Sequence, residues 1–164
     1  MAIDWFRLSD ELSAEVNRLG FEWIEFTHSS SMRAPWLRLF VDRRDAPLTI
    51  EDVTFLTKVL VNWLQTQLPE TMDFRLDVSS PGLDRPIEKP WQFAKQLGQH
   101  LQVTCRKPSI QEFVSGVLLA VNEQGIQIET PENEMLELEW NVIIEGKVVF
   151  PVQNKKMKSK GTRR

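Results

Sequence analysis

Two clusters in this chain hold the residue types that hydrolytic chemistry uses. His28 is followed by Ser29, Ser30 and Ser31, a base beside three hydroxyls, and Glu132, Glu134, Glu137 and Glu139 gather four carboxylates in one short stretch. A nucleophilic triad needs base and hydroxyl to converge in space, which adjacency along the chain does not deliver. The triple serine has instead the composition of a hairpin turn. Glu137 and Glu139 alternate with Leu136, Leu138 and Trp140, the pattern of a strand with one wet face. No glycine-rich phosphate cradle follows any strand, since Gly82 stands isolated. Cys105 is the only cysteine, so neither an intrachain disulfide nor a thiolate zinc cluster can form, and its place in an apolar-alternating strand marks a core residue. His28 and His100 lie too far apart in sequence to suggest a metal site. No catalytic residue, cofactor, metal or small-molecule substrate is expected.

Binding chemistry is better represented. The net charge of −3 conceals an asymmetry: residues 1–146 hold 13 Lys or Arg and all 23 Asp or Glu, whereas residues 147–164 hold seven Lys or Arg and no acid. A basic tail on an acidic body is the pattern of a polyanion-seeking arm, and equally of a solubilising terminus. RNP-like aromatic stretches and a GxxG clamp are missing. Trp36 and Trp91 are the best candidates for exposed stacking residues, while Trp23, Trp63 and Trp140 read as core. The acidic body disfavours broad wrapping by RNA. It suits a basic protein partner, with RNA contacts confined to Arg85, the Arg43-Arg44 loop and the tail. No apolar run approaches the ~20 residues that span a bilayer, and Met-Ala-Ile-Asp-Trp lacks the features of a secretory signal. A cytoplasmic protein with no membrane partner is expected.

The most specific motif is Asp-Val-Ser-Ser-Pro-Gly-Leu-Asp-Arg-Pro at 77–86. Phe74, Leu76 and Val78 alternate with Arg75, Asp77 and Ser79, as in a half-buried strand. Pro81 and Gly82 suit the central positions of a type II turn, and Pro86 holds Arg85 extended. The result is a stiff corner that presents Ser79, Ser80, Asp84 and Arg85.

Around this corner the pattern predicts two domains. Leu8, Leu12, Val16 and Leu19 recur at helical spacing behind a possible Ser9 cap, with Gly20 at the end. Strands follow at 21–27 and 36–41, joined as a hairpin. Thr49 to Asp52 resembles a capping box, and Val53, Leu56, Leu60, Trp63 and Leu64 trace one side of the helix behind it. With strand 74–78 this makes an N-terminal α-β-β-α-β layer over 1–80, two helices on a three-stranded sheet. Residues 81–89 form a rigid interdomain elbow. Residues 90–151 predict a short helix from Pro90 to Leu97 and five strands near 99–106, 112–121, 125–130, 135–140 and 145–150, a C-terminal SH3-like/Sm-like small β-barrel. The class is α+β. Residues 152–164, a disordered basic tail, bury too little to fold.

The 77–86 segment looks like the signature of the ribosome maturation factor RimP family, and the order of elements over about residues 8–150 is parallel to that family's. The resemblance implies a cytoplasmic, bacterial-type factor that is not an enzyme. It would bind the immature small ribosomal subunit, meeting rRNA and a basic ribosomal protein, and assist assembly without catalysis. The family is associated with late ordering around the subunit head and decoding region, including incorporation of the protein usually called uS-twelve, and its barrel domain is linked to that contact. Candidate ribosome contacts are Ser79, Ser80, Asp84 and Arg85, with Pro81, Gly82 and Pro86 as the structural turn. Charge adds Lys155, Lys156, Lys158, Lys160, Arg163 and Arg164 in a tail whose role the resemblance does not settle. This chain departs from the family in its six tryptophans without tyrosine, in Trp91 just after the corner, and in the apolar stretch 140–146. A monomer is expected. The alternative is an Sm-like RNA-binding regulator unrelated to ribosome assembly.

Overall fold

The structure is a computed structural model that describes residues 2–82, 85–106 and 111–150. Among these the chain is α+β, with three helices and eight strands: α1 (Trp5–Arg18), β1 (Glu22–His28), β2 (Trp36–Asp42), α2 (Ile50–Gln67), β3 (Arg75–Ser79), α3 (Pro90–Ala94), β4 (His100–Arg106), β5 (Gln111–Val121), β6 (Gly125–Glu129), β7 (Met135–Glu139) and β8 (Ile143–Val148). It divides into two compact units, Met1–Arg85 and Pro86–Arg164.

In the first unit Leu8, Leu12 and Val16 form the buried stripe of α1. The helix begins earlier than a Ser9 cap would allow. Asp4 is the N-cap, its Oδ1 accepting from the Arg7 amide at 3.0 Å. Ile3 and Trp5 pack against the core and draw the helix start back to Asp4. The capping box of α2 is complete: Thr49 Oγ1 accepts from the Asp52 amide at 3.1 Å, and Asp52 Oδ2 accepts from the Thr49 amide at 3.0 Å. Behind it Leu56, Leu60 and Leu64 are fully buried.

The strands run in the order β1-β2-β3. β1 and β2 are an antiparallel hairpin, and β2 and β3 are parallel, so α2 serves as the crossover that parallel neighbours require. Leu37, Leu39 and Val41 on alternate positions of β2 are fully buried in one core with the stripes of α1 and α2. Both helices therefore cover the same face. A register shift between Trp23 and Glu25 accounts for the large residues on β1: the bulge lets Trp23, opposite Val41, and Phe26, opposite Leu39, both pack on that core.

The second unit opens with α3. Pro90 takes the first helical position, and the Gln92 side-chain oxygen accepts from the amides of Glu88 and Lys89 at 2.9 and 3.0 Å. The helix stops at Ala94, short of the expected Leu97, which is exposed. The five strands form an antiparallel sheet in the order β7-β6-β5-β4-β8, around a core of Phe93, Leu101, Val103, Leu118, Ile126 and Ile128. This corrects the expected barrel. β7 and β8 stand at opposite edges and do not pair with each other, so the sheet is open. Alternation in sequence reports which face of a strand is wet; it carries no information on whether the outermost strands meet. Three glycines mark close approaches inside the sheet. A Cβ on Gly125 would lie 1.8 Å from the Leu138 carbonyl oxygen, one on Gly116 2.3 Å from that of Glu129, and one on Gly146 2.7 Å from the Phe93 ring.

The Lys107-Pro108-Ser109 turn, Leu83 and Asp84 of the corner, and the tail from residue 151 lie outside the described residues.

Candidate functional site

The uncovered face of the N-terminal sheet concentrates the unit's unusual side chains. Period-2 alternation sends Trp36, Arg38 and Phe40 of β2 away from the core. The register sets Glu25 and Thr27 of β1 against Phe40 and Arg38, and Arg75, Asp77 and Ser79 of β3 against Trp36, Arg38 and Phe40. Trp36 is the hub. It is 38% exposed, and its indole Nε1 donates to Asp77 Oδ2 at 2.8 Å. The Arg38 guanidinium lies 3.9 Å from the ring centroid and that of Arg75 5.0 Å. Arg75 Nε also donates to Asp77 Oδ1 at 3.1 Å. Burial pushes the Asp77 carboxyl up, but the bonds from Trp36 and Arg75 and the charges of Arg75 and Arg38 outweigh it and hold it below the usual carboxylate range. A second stack follows on the same strand: the Arg85 guanidinium sits 4.2 Å over Phe40 and pairs with Glu25 of β1. A hollow of about 600 Å³ continues around β3, lined by Arg38, Phe40, Thr57, Leu76, Asp77, Val78 and Ser79.

Of the corner residues, Ser79 and Ser80 are exposed and Gly82 has φ 74°, the left-handed conformation expected of a type II turn. Arg85 is a half-buried side chain tied into the sheet by Glu25 and Phe40 rather than one reaching into solvent. Arg43 and Arg44 are engaged as well: Arg43 meets both carboxylate oxygens of Asp52 at 3.2 Å, and Arg44 meets Glu22 at 2.9 Å. Asp84 and the six cationic tail residues fall outside the described residues.

The outward face of the C-terminal sheet has a different character. Glu137 and Glu139 of β7 project from it with Met135, and Glu132 and Glu134 stand exposed on the preceding turn. The register places Glu129 beside Met135 and Gln127 beside Glu137, and Phe113 and Leu119 of β5 are exposed too. This is an acidic band bordered by apolar side chains.

His28, Ser29 and Ser31 are each engaged by near neighbours. His28 stacks on Trp5 at 4.1 Å with its Nδ1 3.1 Å from the Ser29 carbonyl oxygen, while the Ser29 and Ser31 hydroxyls accept from the amides of Trp36 and Ala34. Trp91 is a correction to the stacking candidates: it is half-buried, and its Nε1 is enclosed without a hydrogen-bond partner among the described residues. Trp140 packs edge-on against Phe93 at 5.4 Å and donates to the Asn122 carbonyl at 3.0 Å.

The span from inside α1 to just beyond β3, residues 11–84, matches the family model of the RimP N-terminal domain. Residues 11–84 are a RimP N-terminal domain. The matched region holds β2, β3 and the corner through Gly82, so the Trp36–Arg38–Arg75–Asp77 constellation lies within the RimP domain. The RimP family is a family of ribosome maturation factors. The sequence reading missed Arg38, Arg75 and Asp77 as a group. The alternation of β2 put Trp36 beside Arg38, but the partners on β3 arrive only through a parallel pairing across 18 residues of α2.

Proposed function

We propose that this chain is an assembly factor of the small ribosomal subunit, acting as a monomer in the cytoplasm. It binds the immature subunit through rRNA and a basic ribosomal protein, stabilises an intermediate by differential affinity, and leaves without catalysing a reaction. The observation that carries this reading is the RimP N-terminal domain over residues 11–84. In this reading residues 81–89 are a stiff elbow between an N-terminal domain over 1–80 and a C-terminal domain over 90–151. Ser79, Ser80, Asp84 and Arg85 face the ribosome, and the tail residues Lys155, Lys156, Lys158, Lys160, Arg163 and Arg164 add phosphate contacts. The acidic band of Glu132, Glu134, Glu137 and Glu139 supports a basic protein as the partner of the C-terminal unit, because opposed fields speed and orient association. The test is sedimentation of the tagged protein from a cell lysate. Comigration with free small subunits and depletion from polysomes is expected. Equal recovery from both fractions would refute the reading, and migration with small RNAs would favour an Sm-like regulator.

A further inference from the structure

We propose that the open face of the N-terminal sheet binds single-stranded RNA, an unpaired base lying on the Arg38 guanidinium and the phosphates meeting Arg75. This deepens the ribosomal reading by naming the surface of the chain that meets unpaired RNA. Single strands are held by planar groups on which bases stack, either aromatic rings or arginine planes, beside cations that follow the backbone. Arg38 has that geometry before any ligand arrives. Its guanidinium rests 3.9 Å from the Trp36 centroid, and Trp36 is itself fixed by the 2.8 Å bond to Asp77. Of the three arginines on this face, Arg75 is paired with Asp77 and Arg85 with Glu25, whereas Arg38 makes no ion pair among the described residues. Its outer plane and its N–H donors are therefore available. The Arg85–Phe40 stack, on the same face of β2, continues the platform.

Charge points the same way. Residues 1–85 hold nine Lys or Arg against fourteen Asp or Glu, and this face carries Glu22, Glu25, Asp42 and Asp77, but at its Trp36 end Arg38 and Arg75 stand against Asp77 alone. The unit is acidic, and the Trp36 end of its uncovered sheet face is not. An acidic peptide would use the charge of Arg38 and leave its stacked plane idle. Duplex RNA hides its bases from any such plane. Unpaired RNA uses both properties.

The decisive experiment measures binding of a labelled, unstructured RNA of roughly ten nucleotides to the full chain by fluorescence anisotropy. Arg38→Ala should weaken binding about tenfold. Arg38→Lys should lose nearly as much, because an ammonium keeps the charge but cannot stack. Arg38 makes no ion pair among the described residues, so Arg38→Lys should melt close to the parent, and Arg38→Ala, which gives up the exposed contact with Trp36, only slightly below it. Parental affinity in Arg38→Lys would reduce the site to simple charge and overturn the proposal, as would parental affinity in Arg38→Ala. Equal binding of a duplex of the same sequence, or equal displacement by an acidic peptide, would also overturn it. Sedimentation separates this proposal from the functional reading. If the parent migrates with free subunits while Arg38→Ala binds RNA normally, the surface assignment falls and the ribosomal role stands. If RNA binding depends on Arg38 but the parent does not associate with subunits, the surface assignment stands and the ribosomal role falls.

Discussion

Asp77 shows how one carboxylate can organise a surface. It accepts from Trp36 and Arg75 together and so sets the plane on which Arg38 rests. Its pKa is lower folded than unfolded, so its contribution to stability is present above the ordinary carboxylate range near ~4 and is lost as pH falls through the lowered folded value. Trp36→Phe keeps a ring but removes the indole donor. The Asp77 carboxyl should then titrate at higher pH than in the parent, which side-chain carboxyl NMR can follow. Arg85→Ala belongs to the same scale. It deprives Glu25 of a partner and uncovers Phe40, and the partly exposed pair with its cation–π contact is worth about 1 kcal/mol in total. A lower melting temperature with unchanged subunit affinity would mark Arg85 as a strut of the N-terminal unit. Unchanged melting with weakened subunit binding would mark it as a contact.

Among the elements, α2 and β7 make the clearest contrast. α2 joins the parallel strands β2 and β3 and carries three fully buried leucines, so its first turn matters to the whole sheet. Thr49→Ala removes the hydroxyl half of the capping box and should cost about 1 kcal/mol, read from denaturant midpoints at unchanged slope. β7 buries little. Its alternation turns Glu137 and Glu139 outward, and reversing both to lysine should leave the fold intact while slowing association with a basic ribosomal protein and weakening its salt dependence. Retention of full affinity for that partner by residues 1–86 alone would remove β7 from the interface. Gly146 belongs to the opposite class. Its neighbour is the fully buried Phe93 ring, so Gly146→Ala must displace a core aromatic and should destabilise by about 1–3 kcal/mol in thermal unfolding.

For the whole molecule the decisive quantity is where the charge lies. The last 18 residues hold seven cations and the remainder of the chain has an excess of ten anions. Removing residues 152–164 should flatten the log–log salt dependence of subunit binding by roughly 4–5 units if all six cations beyond Phe150 are engaged. Site preference should survive, since phosphate contacts carry no sequence information. Equal slopes for the full chain and residues 1–151 would leave the tail without a role in binding.

The sequence alone determined what depends on near neighbours. The stripe Leu8, Leu12 and Val16, the Thr49–Asp52 box, the alternation of β2 and the positive φ of Gly82 are each decided within a few residues, by side-chain period, local hydrogen bonding or the missing Cβ. The SSPGLDRP spelling carried the family in the same local way. Tertiary structure decided what depends on pairing. The Trp36–Asp77 bond spans 41 residues and the Arg85–Glu25 pair spans 60, and neither is visible until α2 brings β3 alongside β2. The enclosure of Trp91 and the open order β7-β6-β5-β4-β8 have the same origin. Burial and strand order are properties of the packed chain, and a residue's own neighbours in sequence do not contain them.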